Sequence, residues 1–190
     1  MSALTPPPKG WFHAPHGAEK VWIGVALFWC LVLSIAMPFW HYAGKQTSDG
    51  EAYKISPQEY LGVVHNYIRE NKVGEETVRV VNPVTEQEVE TTIPITVPTA
   101  DGHAYLVGHN WEWYPVLKLR KGEEIKLHIS SADYQHGISI LPMNMNFHVM
   151  PGYDHVLTIT PTQTGTFDII CNEFCGIGHH RMTGRIIVTD

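Results

Sequence analysis

The sequence predicts a mainly β chain, a β-sandwich tethered by one N-terminal transmembrane helix. Three observations carry this. An uninterrupted apolar run, Val21 to Ala43, holds no Lys, Arg, Asp or Glu. The last ninety or so residues break into short segments rich in β-branched and aromatic residues, separated by Gly, Pro and Asn turn signals. The final two of these segments flank a loop crowded with cysteine, histidine and methionine. At 190 residues and 44% hydrophobic content, the chain suffices for one globular domain plus an anchor, and not for two large domains.

Residues 1–20 form a proline-rich polar arm with neither helical nor strand period. Residues 21–43 would span about 35 Å as a helix, against about 30 Å of bilayer hydrocarbon. The competing reading, a cleaved signal peptide, calls for an apolar stretch of only about 7–15 residues and a small-residue cleavage site. Trp22, Trp40 and Tyr42 suit the two membrane interfaces. Lys9 and Lys20 before the helix balance Lys45 and Lys54 after it, so charge alone does not orient the span.

Residues 44–100 read as a linker carrying a helix and a hairpin. In Ser56 to Asn71, Ser56 stands at the cap, Pro57 at the first turn and Glu59 three residues beyond the cap, which is a capping-box start. Tyr60, Leu61, Val64, Tyr67 and Ile68 then recur at helical spacing, so that face should pack on something. The stretch 76–98 alternates apolar and polar residues around Asn82-Pro83, the pattern of a hairpin with a proline-limited edge. Its expected role is contact with a neighbouring subunit or an electron donor.

Residues 101–190 form the main domain. Tyr105 to Val107 reads as a short strand, followed by the aromatic segment GHNWEWYP (108–115) and a turn at Lys121-Gly122. The strand EIKLHIS (124–130) is expected to deliver His136. TFDII (166–170) enters the loop CNEFCGIGHHRM (171–182), and RIIVTD (185–190) leaves it.

Thiolate, imidazole and thioether are soft or borderline ligands, and together they favour copper over the oxygen-seeking calcium, magnesium or manganese. Two other readings stay open for the loop: a Cys171–Cys175 disulfide, and a structural zinc. A mononuclear blue copper site needs only one cysteine, so the second speaks for two metals. Cys30, inside the apolar run, reads as a small hydrophobe. Of the twelve histidines only His136 and His179 fit the constellation; His128, His148 and His155 read as strand or loop residues. His180 is out of register, a loop histidine near a docking surface.

The pattern CxExCxxxHxxM with the upstream DxxH at 133–136 resembles the binuclear copper centre, CuA, of subunit II of haem–copper oxidases, and covers roughly the last ninety residues. The resemblance implies a cupredoxin-like Greek-key sandwich. It makes Cys171 and Cys175 the bridging thiolates, His136 and His179 one imidazole each, Met182 the weak thioether and Glu173 a carbonyl ligand. The Glu173 carboxylate would reach a magnesium ion at the interface with a haem-bearing catalytic subunit. GHNWEW is similar to the family's aromatic segment, in which the first tryptophan, here Trp111, receives electrons from cytochrome c; a core aromatic pair is the alternative.

The same resemblance places the copper domain on the outer side of a bacterial or archaeal plasma membrane. A single anchor fits the B-type branch, whereas Glu173 and GHNWEW resemble the A-type. Glu19-Lys20-Val21-Trp22 resembles a B-type pattern whose glutamate stands at the mouth of a proton channel; helix capping by Glu19 is the competing reading. Residues 44–190 hold 18 acidic against 11 basic side chains, a field that speeds encounter with a basic donor such as cytochrome c. A membrane-bound haem or a small copper protein also fits as donor, and no nucleic-acid partner is expected. The chain itself would do no bond chemistry. Two further readings are the small subunit of a CuA-containing nitric oxide reductase and a membrane-anchored copper-delivery module.

Overall fold

The computed structural model describes residues 14–43, 50–81, 85, 87–141 and 145–190. The chain divides into two units, Met1–Gln46 and Thr47–Asp190. The first holds helix α1, Ala18–Ala43, which is long and apolar enough to cross a membrane. It starts three residues before the apolar run because Glu19 sits in its first turn and accepts the His16 backbone N–H at 3.2 Å.

The second unit contains β1 (Glu51–Lys54), α2 (Pro57–Asn71), β2 (Lys72–Val81), β3 (Glu88–Thr96), β4 (His103–His109), β5 (Glu112–Tyr114) and β6 (Val116–Arg120). Then follow β7 (Ile125–Ser131), β8 (His136–Ile140), β9 (Met145–Val149), β10 (Tyr153–Ile159), β11 (Gly165–Cys171) and β12 (Thr183–Thr189). The mainly β, cupredoxin-like architecture is present, with its layers continuous. The strands run in the order β1-β10-β7-β4-β5-β12-β11-β8-β9, and β6 joins β12 to the hairpin β2–β3. Short β5 is the seam, antiparallel to β4 on one side and bridged to β12 through Glu112 and Thr183 on the other.

The sheet curls around a main apolar core that includes Leu106, Trp113, Leu127, Ile129, Ile138, Ile140, Ile169 and Ile186, with a smaller cluster of Tyr60, Val64 and Val107. Each fully buried aliphatic side chain there contributes about 1.5–3 kcal/mol relative to exposure. Helix α2 begins as expected: Ser56 and Glu59 form a complete capping box. Its buried face is Tyr60, Val64 and Tyr67, three of the five residues at helical spacing. Tyr60 donates its hydroxyl to the Leu106 carbonyl of β4 at 3.1 Å, and Tyr67 to the Val97 carbonyl at 2.8 Å. The expected hairpin pairs from Lys72↔Thr96 to Val81↔Glu88, while its Asn82-Pro83 turn lies outside the described residues. Pro94 lacks an N–H, and β6 pairs with β3 only from Ile95 onward.

Candidate metal centre

Strands β8, β11 and β12 bring the site together. Cys171 ends β11 opposite Ile138 of β8, and its N–H donates to the Met182 carbonyl at 3.1 Å. The next residue, Asn172, donates its N–H to the Gly137 carbonyl at 3.1 Å, beside His136. A single 3-10 turn, His179–Arg181, carries the second histidine, and Met182 follows just before β12. His136 is not delivered by β7. That strand stops at Ser131, a turn intervenes, and His136 opens β8. The stretch from Ile125 to Ile140 is thus divided between two strands, and Asp133 in the bend between them is the signal that separates them.

The donors fall into two sets. The Cys171 sulfur lies 3.9 Å from His136 Nδ1 and 3.3 Å from the Glu173 carbonyl oxygen. The Cys175 sulfur lies 3.7 Å from His179 Nδ1 and 3.8 Å from the Met182 sulfur. The two sulfurs are 3.7 Å apart, and both cysteines are free thiols. His136, Cys171 and Cys175 converge tightly enough to hold an ion among the described residues, and all three are buried, as is Met182. His179 is half-buried beneath the exposed Phe174, whose ring meets it edge-on at 5.8 Å.

Electrostatics prepare these groups. His136 donates Nε2–H to Asp133 at 2.8 Å, which fixes the tautomer and leaves Nδ1 facing Cys171. Burial works to raise the Asp133 carboxyl, but hydrogen bonds from His136 and from the Asn110 and Tyr134 amides outweigh it and hold it below its usual value. Burial, with the neighbouring Cys171 thiol, pushes the Cys175 thiol up to about 12. A metal must therefore displace a firmly held proton.

Trp111 caps the loop. It has a left-handed φ of 84°, and its indole lies so close to Gly176 and Gly178 that a Cβ on either would come within 2.4 Å of it. Beside it opens a cleft of about 560 Å³ whose walls include Glu76, Ile93, Glu112, Asp168 and Arg185. Burial raises the Glu112 carboxyl, and His109, 3.3 Å away, opposes the shift. The Glu173 carboxylate lies 3.3 Å from His148 Nε2. His148 is therefore a partner of the loop, which its sequence context does not reveal.

Residues 115–189 match the family model described as cytochrome C oxidase subunit II, periplasmic domain. Cytochrome c oxidase subunit 2 of Thermus thermophilus is 36% identical over 74 residues, 39% of this chain and 55% of that protein. An alternative cytochrome c oxidase subunit 2 of Bradyrhizobium diazoefficiens is 24% identical over 179 residues, 93% of this chain and 61% of that protein. The match thus spans about half the length of the Thermus relative. A chain from the cryo-EM structure of a heme-copper terminal oxidase dimer shares the fold, with a TM-score of 0.56 and 20% identity over 91% of this chain and 100% of that one.

Proposed function

We propose that this chain, whose residues 115–189 match the subunit II periplasmic domain, is the electron-accepting copper subunit of a membrane haem–copper oxidase. The observation that carries this reading is the division of donors into two sets of sulfur, imidazole and weak ligand, with the sulfurs 3.7 Å apart between them. One four-coordinate ion, whether zinc or blue copper, would leave two of these six donors unused. Two ions held by the two sets together, His136, Cys171 and the Glu173 carbonyl with Cys175, His179 and Met182, would use all of them, and the soft donor set suits copper. Bound there, a binuclear copper centre would supply single-electron transfer with little change of geometry.

The residues of the chain do the remaining work. Burial of His136, Cys171, Cys175 and Met182 excludes water, and Asp133 holds one imidazole in the ligating tautomer. Ligands set on strand ends and a tight turn are held in place, which opposes rearrangement between oxidation states. It also disfavours copper delivery, which needs exchangeable, exposed donors. Trp111, packed on the ligand loop and half-exposed, offers the route from a basic donor such as cytochrome c. Exposed Phe174 and Ile177 at the loop tip offer contact to a catalytic subunit bearing the haems. A magnesium ion at the Glu173 carboxylate would have His148 beside it, 3.3 Å from one carboxylate oxygen. Helix α1 would anchor the chain in a bacterial or archaeal membrane in a single pass, with the copper domain outside, as in the B-type branch.

Copper analysis and paramagnetic resonance of the purified chain test the proposal. Two coppers per chain with a mixed-valence signal are expected. One copper, or tightly held zinc, would overturn it.

A further inference from the structure

The aromatic segment holds a second tryptophan that electron input through Trp111 leaves without a role. Trp113 is fully buried, and its ring stands edge-to-face to the His136 imidazole, with centroids 5.8 Å apart at 68°. Two glycines make room for it. A Cβ on Gly108, its partner across the β4–β5 ladder, would lie 2.8 Å from Trp113 Cζ3 and 3.2 Å from His136 Cδ2. A Cβ on Gly184 would lie 2.4 Å from Trp113 Cβ. The outer edge of the indole and the carbon edge of the imidazole therefore meet over Gly108.

Packing alone does not account for an indole here. Among the described residues Trp113 Nε1–H is buried without an acceptor, a cost that a phenylalanine or leucine would not carry. What the larger ring system adds is reach, and two of its outermost atoms, Cζ3 and Cη2, lie against Gly108, where a Cβ would also meet His136 Cδ2. Asp133 holds the Nε2 edge of the imidazole, Cys171 faces Nδ1, and Trp113 covers the Cδ2 side. Because β5 is the seam between β4 and β12, the same indole ties the position of His136 to the join of the two halves of the sheet.

We propose that Trp113 is a positioning residue for the ligand His136, fixing the plane of its ring and keeping water from its inner side, and so setting the redox potential of the centre. The inference rests on the copper reading above. The apolar surroundings of a metal control its access to solvent and hence its potential. Truncating the indole admits water, which favours the more highly charged oxidised state.

The experiment uses the full chain loaded with copper, comparing wild type with Trp113→Leu, Trp113→Phe and, as a control, Leu127→Ala. Leu127 is equally buried, and its sheet neighbours are Ala104 and Leu157. Wild-type copper content is expected throughout. In Trp113→Leu the reduced-to-oxidised ratio at a fixed poise should fall about tenfold, which is 59 mV for one electron, and the hyperfine pattern should change. Trp113→Phe should shift in the same direction by less, and Leu127→Ala should lose thermal stability with no shift. If Trp113→Leu does not fold, Trp113→Phe decides. A full copper complement with unmoved potential and spectrum would return Trp113 to core packing. Wild-type chain that takes up no copper would instead overturn the copper reading, and this inference with it.

Discussion

Gly178→Ala tests the contact between Trp111 and the ligand loop without touching a ligand. Gly178 has φ −87° and ψ 4°, a conformation open to alanine, so the backbone does not object. The obstacle is the indole: the added Cβ would lie 2.3 Å from Trp111 Cγ and Cδ2. Carbon atoms pack at about 3.5–4.0 Å, so the ring must retreat by about 1.2–1.7 Å. Overpacking costs about 1–3 kcal/mol, and the low end applies because Trp111 is half-exposed and can swing outward. Gly176→Ala is a poorer probe, since its φ of 123° adds backbone strain. The assay is stopped-flow reduction of the copper centre by a soluble cytochrome c, alongside copper content and optical spectrum. Gly178→Ala should keep both coppers and slow reduction toward the rate of Trp111→Ala. A wild-type rate in Gly178→Ala beside a slow Trp111→Ala would show that the loop contact is not the route, and wild-type rates in both would make Trp111 a packing residue.

Cys175→Ser should abolish the mixed-valence signal, whereas Met182→Leu should keep both coppers and change the potential, because a weak axial sulfur tunes a centre more than it builds one; equal loss of copper in both would refute the role given to Met182. Burial raises the Glu112 carboxyl in the folded state, so Glu112 contributes its stability at low pH and loses it as pH rises through the ordinary carboxylate range toward the raised value. Glu112→Gln should therefore raise the melting temperature at pH 7 and leave it unchanged near pH 3, and thermal melts at the two pH values decide. Glu19→Ala should lower steady-state turnover of the oxidase complex without altering copper content or copper reduction, with Glu19→Asp retaining part of the activity; wild-type turnover from pH 6 to 9 would leave Glu19 only its contact with His16.

What the sequence showed plainly was whatever depends on neighbours along the chain. The Ser56–Glu59 capping box, the alternation of the hairpin and the spacing from Cys171 to Met182 are local patterns, and their elements appear where the patterns lie. The start of α1 shifted because a hydrophobicity count stops at Lys20, while the backbone is decided by the contact of Glu19 with His16. The supports of the centre were hidden for a different reason. Trp113 meets His136, and His148 meets Glu173, only once distant strands are side by side. Asp133 is the intermediate case: the DxxH spacing was visible, but not the amide of Asn110 that holds the carboxylate from another strand's turn.

The same dependence on sheet assembly links metal binding to register. His136 begins β8, Cys171 ends β11 opposite Ile138, and Met182 stands before β12 with its carbonyl on the Cys171 amide. Side chains alternate along a strand, so a slip of one residue in β8 against β11 would turn His136 to the opposite face and leave Cys171 without its imidazole. Only the native register gathers both sets of donors, and a ligand that binds the folded arrangement alone stabilises it by mass action. Copper would then hold β8, β11 and β12 in step, and a chain without it should open first at the loop between Cys171 and Met182, where the backbone is pinned by few hydrogen bonds and a single 3-10 turn.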